Sequence, residues 1–110
     1  MKSIQSFKYK RKKLTVIFWN LKVWFNAIEI LRILGYKDNI TRFMGLLFGP
    51  NKDNLKFTTS KVKLISEDGL YVLTYYEGLK PKEREKANEL YDYVQEEVMP
   101  AFNSYLRSWL

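Results

Sequence analysis

Residues 24–36 read WFNAIEILRILGY and change from strand chemistry to helix chemistry within a few positions. Trp24 and Phe25 suit the end of a half-buried strand, because aromatic side chains favour a pleated, partly covered surface. After Asn26, apolar residues recur at the spacing that builds one helix face, at Ala27, Ile30, Leu31 and Leu34. The stretch therefore predicts a strand that passes directly into an amphipathic helix.

Asn26 and Gly35 mark the two ends of this helix. The side-chain oxygen of Asn26 can accept from a first-turn amide, and Glu29 can reach back to the Asn26 amide to complete a capping box. Gly35 ends the helix because a residue without Cβ adopts the left-handed conformation at little cost. Just beyond, Asp38 or Asn39 can cap a second short helix over residues 41–44. The sequence thus predicts a helix-turn-helix-like pair.

Strand patterns surround this pair. Alternating or β-branched runs indicate strands over residues 4–9, 14–19, 23–25, 56–59 and 62–65. A charged turn is predicted at 11–13. The 14–19 run is apolar on both parities, which predicts a strand covered on both faces.

Helix signals dominate the last part of the chain. Ser66 can cap a helix that runs to about Tyr76, and Gly78 would close it. Pro81 can open a final helix, which Pro100 would end or kink. We therefore predict one α+β domain over residues 1–110, with a small antiparallel β-sheet and about four helices, including the helix-turn-helix-like pair.

Three motifs in chain order resemble the BRO-N domain of baculovirus repeated-ORF proteins and phage antirepressors. They are residues 24–36, residues 64–73 (LISEDGLYVL) and residues 93–100 (YVQEEVMP). The second is similar to the family's strand and EAGLY-x-L helix, and the third to its WV-x-EEVLP. The resemblance implies a viral or phage DNA-binding domain that regulates transcription or replication inside the host cell, in the nucleus or the cytoplasm.

Charge is distributed unevenly along the chain, whose net charge is +7. Residues 1–28 hold seven cations and no acid, and residues 30–63 hold seven cations against two acids. Residues 64–110 hold five cations against nine acids. A basic half of this kind indicates a surface that faces a polyanion.

Residues that usually carry catalysis or bind metals are scarce. The chain has no Cys and no His, which removes thiolate and imidazole ligands and the commonest general base. The glycines match neither a phosphate-binding loop nor a dinucleotide fingerprint. Residues 83–86 (EREK) place Glu83 three positions before Lys86, which is a helical spacing, and their place early on an exposed helix favours a solvated face over a metal-nuclease site. We predict no enzyme, no catalytic residue, no metal and no cofactor.

Residues 14–34 are long enough to cross a membrane, but charged residues interrupt them. Lys22, Glu29 and Arg32 would each cost about 2.5 to 3.5 kcal/mol at the centre of a bilayer. We therefore predict no membrane span and an intracellular protein.

Double-stranded DNA is the predicted partner, bound mainly through phosphate contacts. The residues predicted to contact it are Lys8, Lys10, Arg11, Lys12, Lys13, Lys37, Asn39, Thr41 and Arg42. Asn39 and Arg42 can pair bidentately with adenine and guanine. Phe7 and Tyr9 interleave with two of the lysines, so they could also stack on single-stranded bases. The remaining aromatic residues at strand and helix periods are predicted to lie in the core, among them Tyr71 and Tyr75.

Two alternatives stay open. A protein-interaction module of the antirepressor type would bind a repressor or a host protein through the acidic last helix, with Tyr93 and, near the end, Trp109 exposed on its surface. A homodimer is compatible with either function. The basic strands could instead bind an anionic membrane surface, although no predicted helix combines a cationic face with a lipid-facing apolar face.

Overall fold

One antiparallel sheet and three helices make up the part of the chain that the computed structural model describes, residues 3–19, 21–39, 42, 56–58 and 63–108. The strands are β1 (Ser3–Tyr9), β2 (Lys12–Trp19), β3 (Lys22–Asn26), β4 (Lys56–Thr58) and β5 (Lys63–Ser66), in the order β1-β2-β3-β5-β4. The helical segments are α1 (Ala27–Leu34), α2 (Glu67–Leu73), α3 (Pro81–Tyr93), a π-helical turn (Val94–Val98) and α4 (Met99–Arg107). The predicted α+β class is confirmed. The last three segments are continuous, so the helices number slightly fewer than predicted.

A two-residue turn joins β1 to β2. Lys10 and Arg11 both have positive φ, 48° and 68°, which is the backbone of the tight hairpin turn whose twist matches the flanking strands. Lys12 and Lys13 already belong to β2. The predicted turn at 11–13 is therefore misplaced, because the run of like charges concealed where pairing resumes.

The helices cover one face of the sheet. On β2, Leu14, Val16 and Phe18 are buried in the core, and the Phe18 ring lies 5.2 Å from that of Phe102 on α4. The alternate residues of β2 face the other side and are half-buried. The strand is therefore fully covered on the helix side and only partly covered on the other side, where the sequence predicted cover on both.

Helix α1 begins and ends where the sequence indicates. The Asn26 side chain accepts from the Glu29 amide at 3.2 Å, and Gly35 takes a left-handed φ of 79°. The Glu29 carboxylate does not return to Asn26, so the reciprocal half of the capping box is absent. It instead accepts from the Thr15 amide at 2.6 Å and from the Thr15 hydroxyl at 2.9 Å.

The second helix of the predicted pair falls mostly outside the described residues. Asn39 accepts from the Arg42 amide through Oδ1 at 2.9 Å, and Arg42 is helical. This contact is the predicted cap. Thr41 and residues 43–44 lie outside the described part of the chain, so the helix-turn-helix-like pair stays a prediction.

Helix α2 is capped as predicted but ends early. The Ser66 hydroxyl accepts from the Gly69 amide at 3.1 Å, while the helix stops at Leu73 rather than near Tyr76. Gly78 is not left-handed and does not close the helix. A Cβ there would lie 2.2 Å from the Tyr76 ring, so a close approach is what requires the glycine.

Side chains of α3 hold the segment that follows α2. Arg84 donates to the carbonyl oxygen of Leu79 at 2.7 Å, and Asn88 donates to that of Thr74 at 3.0 Å. These bonds satisfy backbone carbonyls between α2 and α3, and the Thr74 carbonyl among them follows directly on the last turn of α2.

Pro100 neither ends nor sharply interrupts the last helix. A proline lacks the N–H of the helical ladder, and its ring would clash with the carbonyl four residues earlier. The π-helical turn comes directly before it, and the Met99 amide donates to the Val94 carbonyl, five residues back. This wider turn lets the helix continue and keeps Val94, Val98 and Phe102 buried on one side.

Candidate nucleic-acid interface

The β1–β2 hairpin presents its cations on two faces. Opposite residues of antiparallel strands project to the same face, and the register pairs Lys8 with Lys13 and Tyr9 with Lys12. Tyr9 is only 8% exposed and points into the core, so Lys12 starts on the helix-covered side. Lys8 and Lys13 stand on the opposite side. The structure thus divides the predicted basic cluster between two faces, with Arg11 at the tip.

All five cations of the hairpin are exposed: Lys8, Lys10, Arg11, Lys12 and Lys13. Among the described residues the one salt bridge joins Lys10 to Glu89 on α3. The hydrogen bond from Lys10 to the Glu89 carboxylate raises the pKa of Lys10, and the charge interaction with the Tyr9 phenol contributes in the same direction. The other four cations have no acidic partner within the described chain and remain available to an external anion.

Helix α3 fastens the hairpin in place. The rings of Tyr9 and Tyr93 lie 4.9 Å apart, and the Tyr93 hydroxyl donates to the Lys8 carbonyl at 3.4 Å. Tyr93 is half-buried against the core, so the prediction that it is exposed for a protein partner is wrong. Phe7 also packs against the core. Because Tyr9 is buried and Phe7 is partly covered, the prediction that an exposed edge of these two rings stacks on bases is wrong.

A surface groove runs from the hairpin to the end of α1, and we call it the lysine groove. It consists of two depressions of about 360 and 440 Å³ that share Lys82 and Lys86. The first is lined by Tyr9, Lys10, Lys12, Ile33, Lys82, Glu85, Lys86 and Glu89, and the second by Leu34, Gly35, Tyr36, Lys37, Asp38, Gly78, Lys80, Lys82, Glu83 and Lys86. The groove therefore joins two parts of the predicted site, Lys10 and Lys12 on the hairpin and Lys37 after α1.

The lysine groove carries six lysines and four acids. Two of the acids are already engaged, since Glu89 pairs with Lys10 and Glu83 accepts from the Lys80 amide at 2.7 Å. Lys86 also has a structural use: its Nζ lies next to Gly35, where the carbonyl end of α1 favours a positive charge. The groove is positive, but less so than the hairpin tip.

Lys37, Asn39 and Arg42 are exposed beyond the end of α1. The pKa of Tyr36 is raised, mainly by burial and then by the carboxylates of Asp38 and Glu83. The charge of Arg42 lowers this pKa. Arg42 thus lies within electrostatic range of the Tyr36 side chain, which lines the groove. Asn39 uses Oδ1 as a cap, and this use competes with bidentate pairing to adenine.

Sequence reasoning missed the contribution of α3 to this surface. Lys80, Lys82 and Lys86 lie in the acidic last part of the chain, where a sum over segments hides them. Lys82 and Lys86 are four residues apart and therefore share a helix face. This spacing could have indicated a basic face on α3. It could not have indicated that the face lies beside the hairpin, because that position depends on the packing of α3 on α1.

No group of three or more His, Cys, Asp or Glu side chains among the described residues is arranged to hold a metal ion. No helix in the same part of the chain has the length and apolar character needed to span a membrane.

Comparison with known proteins gives no relative for the chain. No family model, no curated protein and no solved structure matches it.

Proposed function

We propose that this chain binds double-stranded DNA, with the β1–β2 hairpin supplying most of the phosphate contacts. One observation carries the proposal: four exposed hairpin cations have no acidic partner among the described residues. They are Lys8, Arg11, Lys12 and Lys13. Surface cations that release condensed counterions from DNA supply most of a sequence-tolerant affinity.

The two-faced arrangement, with Arg11 at its end, favours a hairpin whose tip enters a groove of the duplex, because α3 already covers one face of the hairpin at Tyr9. The major groove is about 12 Å wide and admits a two-stranded β-ribbon. A ribbon in that position has a phosphate backbone on each side. Lys8 and Lys13 would then approach one backbone, and Lys12 with the lysine groove would approach the other.

The resemblance to BRO-N domains points in the same direction. It rests on the three quoted motifs, and it adds a viral or phage role in transcription or replication to the proposal. A base-reading role for Asn39, Thr41 and Arg42 belongs to the proposal as well. Of these, Arg42 is the better candidate, because the Oδ1 of Asn39 is already a cap.

Binding to a labelled duplex, measured by fluorescence anisotropy over a range of salt concentrations, tests the proposal. Arg11→Ala should weaken binding to all sequences and reduce the log–log salt slope by about 0.9, the value for one lost phosphate contact. Arg107→Ala, which removes the same charge from α4, is the matched control and should leave the slope nearly unchanged. Equal effects of the two variants, or no binding to duplex at low salt, would contradict the proposal.

A role for Arg42 in base reading would give a different result. Arg42→Ala should cost roughly 1 to 3 kcal/mol on a preferred sequence and leave binding to other sequences nearly intact. A preferred sequence selected from a random duplex pool provides the substrate. A uniform loss on all sequences would assign Arg42 to phosphate contact instead.

A further inference from the structure

Helices α2 and α3 pack side by side, and we call their line of contact the seam. Side chains join the two helices along the seam on the side that faces solvent. Contacts at successive positions cross the seam in antiparallel order: Asn88 to Thr74 at 3.0 Å, the Tyr91 ring to the Tyr71 ring at 5.3 Å, and Gln95 to Glu67 at 2.6 Å. These contacts run along the full length of α2 and hold it against the helix that begins with α3. Tyr71 lies at the centre of the seam.

An exposed tyrosine cluster covers this seam. Tyr71 and Tyr75 are 52% and 58% exposed, although their helical spacing predicted core positions. Their rings meet edge to face, with centroids 5.5 Å apart at an angle of 70°. The half-buried Tyr91 ring extends this contact beneath Tyr71. Exposed tyrosine side chains are enriched at places where a partner binds.

Carboxylates lie beside the cluster. The pKa of Tyr91 is raised, mainly by burial. The charge of Glu67, then Tyr71, then the charge of Asp68 act in the same direction. Both acids therefore lie within electrostatic range of the cluster. Residues 64–79 hold three acids and no cation, while Lys22 also lines the depression that Glu67 and Asp68 share. The surface is therefore acidic on balance and attracts a positive group.

We propose that Tyr71, Tyr75 and Tyr91, together with the carboxylates of Glu67 and Asp68, bind a basic segment of a protein partner through an arginine side chain. The planar guanidinium stacks on aromatic faces and pairs with carboxylates, and it is more weakly hydrated than an ammonium group. This surface is separate from the hairpin and the lysine groove. The chain would thus bind DNA with one surface and a basic protein segment with another.

A short fluorescent Gly-Arg-Gly-Arg-Gly peptide tests the proposal on the whole chain. Its affinity, measured by anisotropy, should exceed that of the same peptide with citrulline, which keeps the shape of arginine and loses the charge. Tyr71→Leu with Tyr75→Leu should weaken binding about tenfold, because aliphatic side chains keep apolar area but lose the aromatic faces. Tyr71→Phe with Tyr75→Phe should retain most of the affinity. Ile4→Ala, at an exposed apolar site on β1, should retain all of it.

Several outcomes would overturn the proposal. They are equal binding of the arginine and citrulline peptides, no binding of either at about millimolar concentration, or equal binding by the leucine and phenylalanine variants. Sedimentation at increasing concentration gives a further check. Self-association lost in the leucine variant would identify the basic hairpin of a second copy as the occupant, in place of a separate partner. Duplex binding by the leucine variant should match that of the unmodified chain, which separates this proposal from DNA binding.

Discussion

The Glu29 side chain accepts a backbone hydrogen bond that a neighbouring strand would otherwise accept. The last pair between β2 and β3 is Val16 with Phe25, and the Thr15 amide lies just beyond it. The carboxylate of Glu29 accepts from this amide and from the Thr15 hydroxyl. A carboxylate is a strong acceptor for both donors, so it ties α1 to the sheet at the place where backbone pairing stops.

Glu29→Ala should reduce the free energy of unfolding by about 1 to 3 kcal/mol, because it leaves the partly buried Thr15 amide unsatisfied. Urea denaturation measures the change. Glu85→Ala, which removes an exposed carboxylate from α3, is the control and should shift stability by less than about 0.5 kcal/mol. Equal losses in both variants would mean that the Glu29 contact has no special weight.

Caps within one segment could be predicted from sequence, whereas the partner of Glu29 could not. Asn26 and Ser66 accept from amides three residues ahead, and such contacts are visible in local spacing. Thr15 precedes Glu29 by fourteen positions and lies on another element. Only the packing of α1 on the sheet brings the two together.

Tyr91 makes the free energy of unfolding depend on pH in the alkaline range. Its raised pKa means that folding favours the neutral phenol over the phenolate. The stabilisation is therefore complete below the ordinary tyrosine pKa of about 10 and is lost as pH rises through the higher folded value. The free energy of unfolding should fall above about pH 10.

Urea unfolding at a series of alkaline pH values tests this expectation. Tyr91→Phe should make the alkaline decline shallower, because phenylalanine has no proton to lose. Tyr75→Phe, which removes an exposed hydroxyl, serves as the control for general effects of alkali. If both variants decline as steeply as the unmodified chain, Tyr91 does not contribute to the decline.

At the scale of elements, α1 and α3 form the centre of the core. Leu31 and Leu90 are fully buried, and each lies within the apolar stripe that the sequence indicates for its helix. Leu31→Ala and Leu90→Ala should each cost about 2 to 5 kcal/mol, the sum of lost apolar burial and the cavity left behind. Leu21→Ala, at a residue that is 81% exposed, should cost very little.

Thermal or urea unfolding of these three variants gives the comparison. A melting curve unchanged by either core substitution would show that its helix does not pack as described. A large loss for Leu21→Ala would mean that this exposed residue is covered in solution.

Element types were predictable because apolar periodicity is a local property. The hairpin turn was misplaced because four consecutive cations gave no sign of where β2 begins. Tyr71 and Tyr75 were assigned to the core because periodicity identifies a face but not whether another element covers it. The π-helical turn was missed as well, since the spacing of Val94, Val98 and Phe102 is also compatible with a regular helix.

At the scale of the whole molecule, charge separates two surfaces. The hairpin and the lysine groove are positive, whereas the α2 surface is acidic and aromatic. The sequence indicated this polarity through its basic first half and acidic last part. It could not indicate that lysines from the acidic part join the basic surface, because that depends on the packing of α3.

Two matched pairs of substitutions test whether the hairpin enters a DNA groove. Lys8→Ala with Lys13→Ala removes the outer face, and Lys12→Ala with Lys82→Ala removes two lysines from the lysine groove. Both variants lower the net charge by the same amount, so a difference between them reports position rather than total charge. All four residues are exposed, so both variants should remain folded, which circular dichroism can verify.

If the hairpin lies between two phosphate backbones, each variant should reduce the log–log salt slope of duplex binding by about 1.8, the value for two lost phosphate contacts. A hairpin that rests with one side on the DNA surface should instead respond to one pair only. A loss confined to Lys12 and Lys82 would assign binding to the lysine groove, and a loss confined to Lys8 and Lys13 would assign it to the outer face of the sheet. An unchanged slope in both variants would exclude both faces of the hairpin as phosphate contacts, because neither face would then release counterions from DNA. Only the turn residues Lys10 and Arg11 would remain as hairpin contacts, and Arg11→Ala tests the second of these.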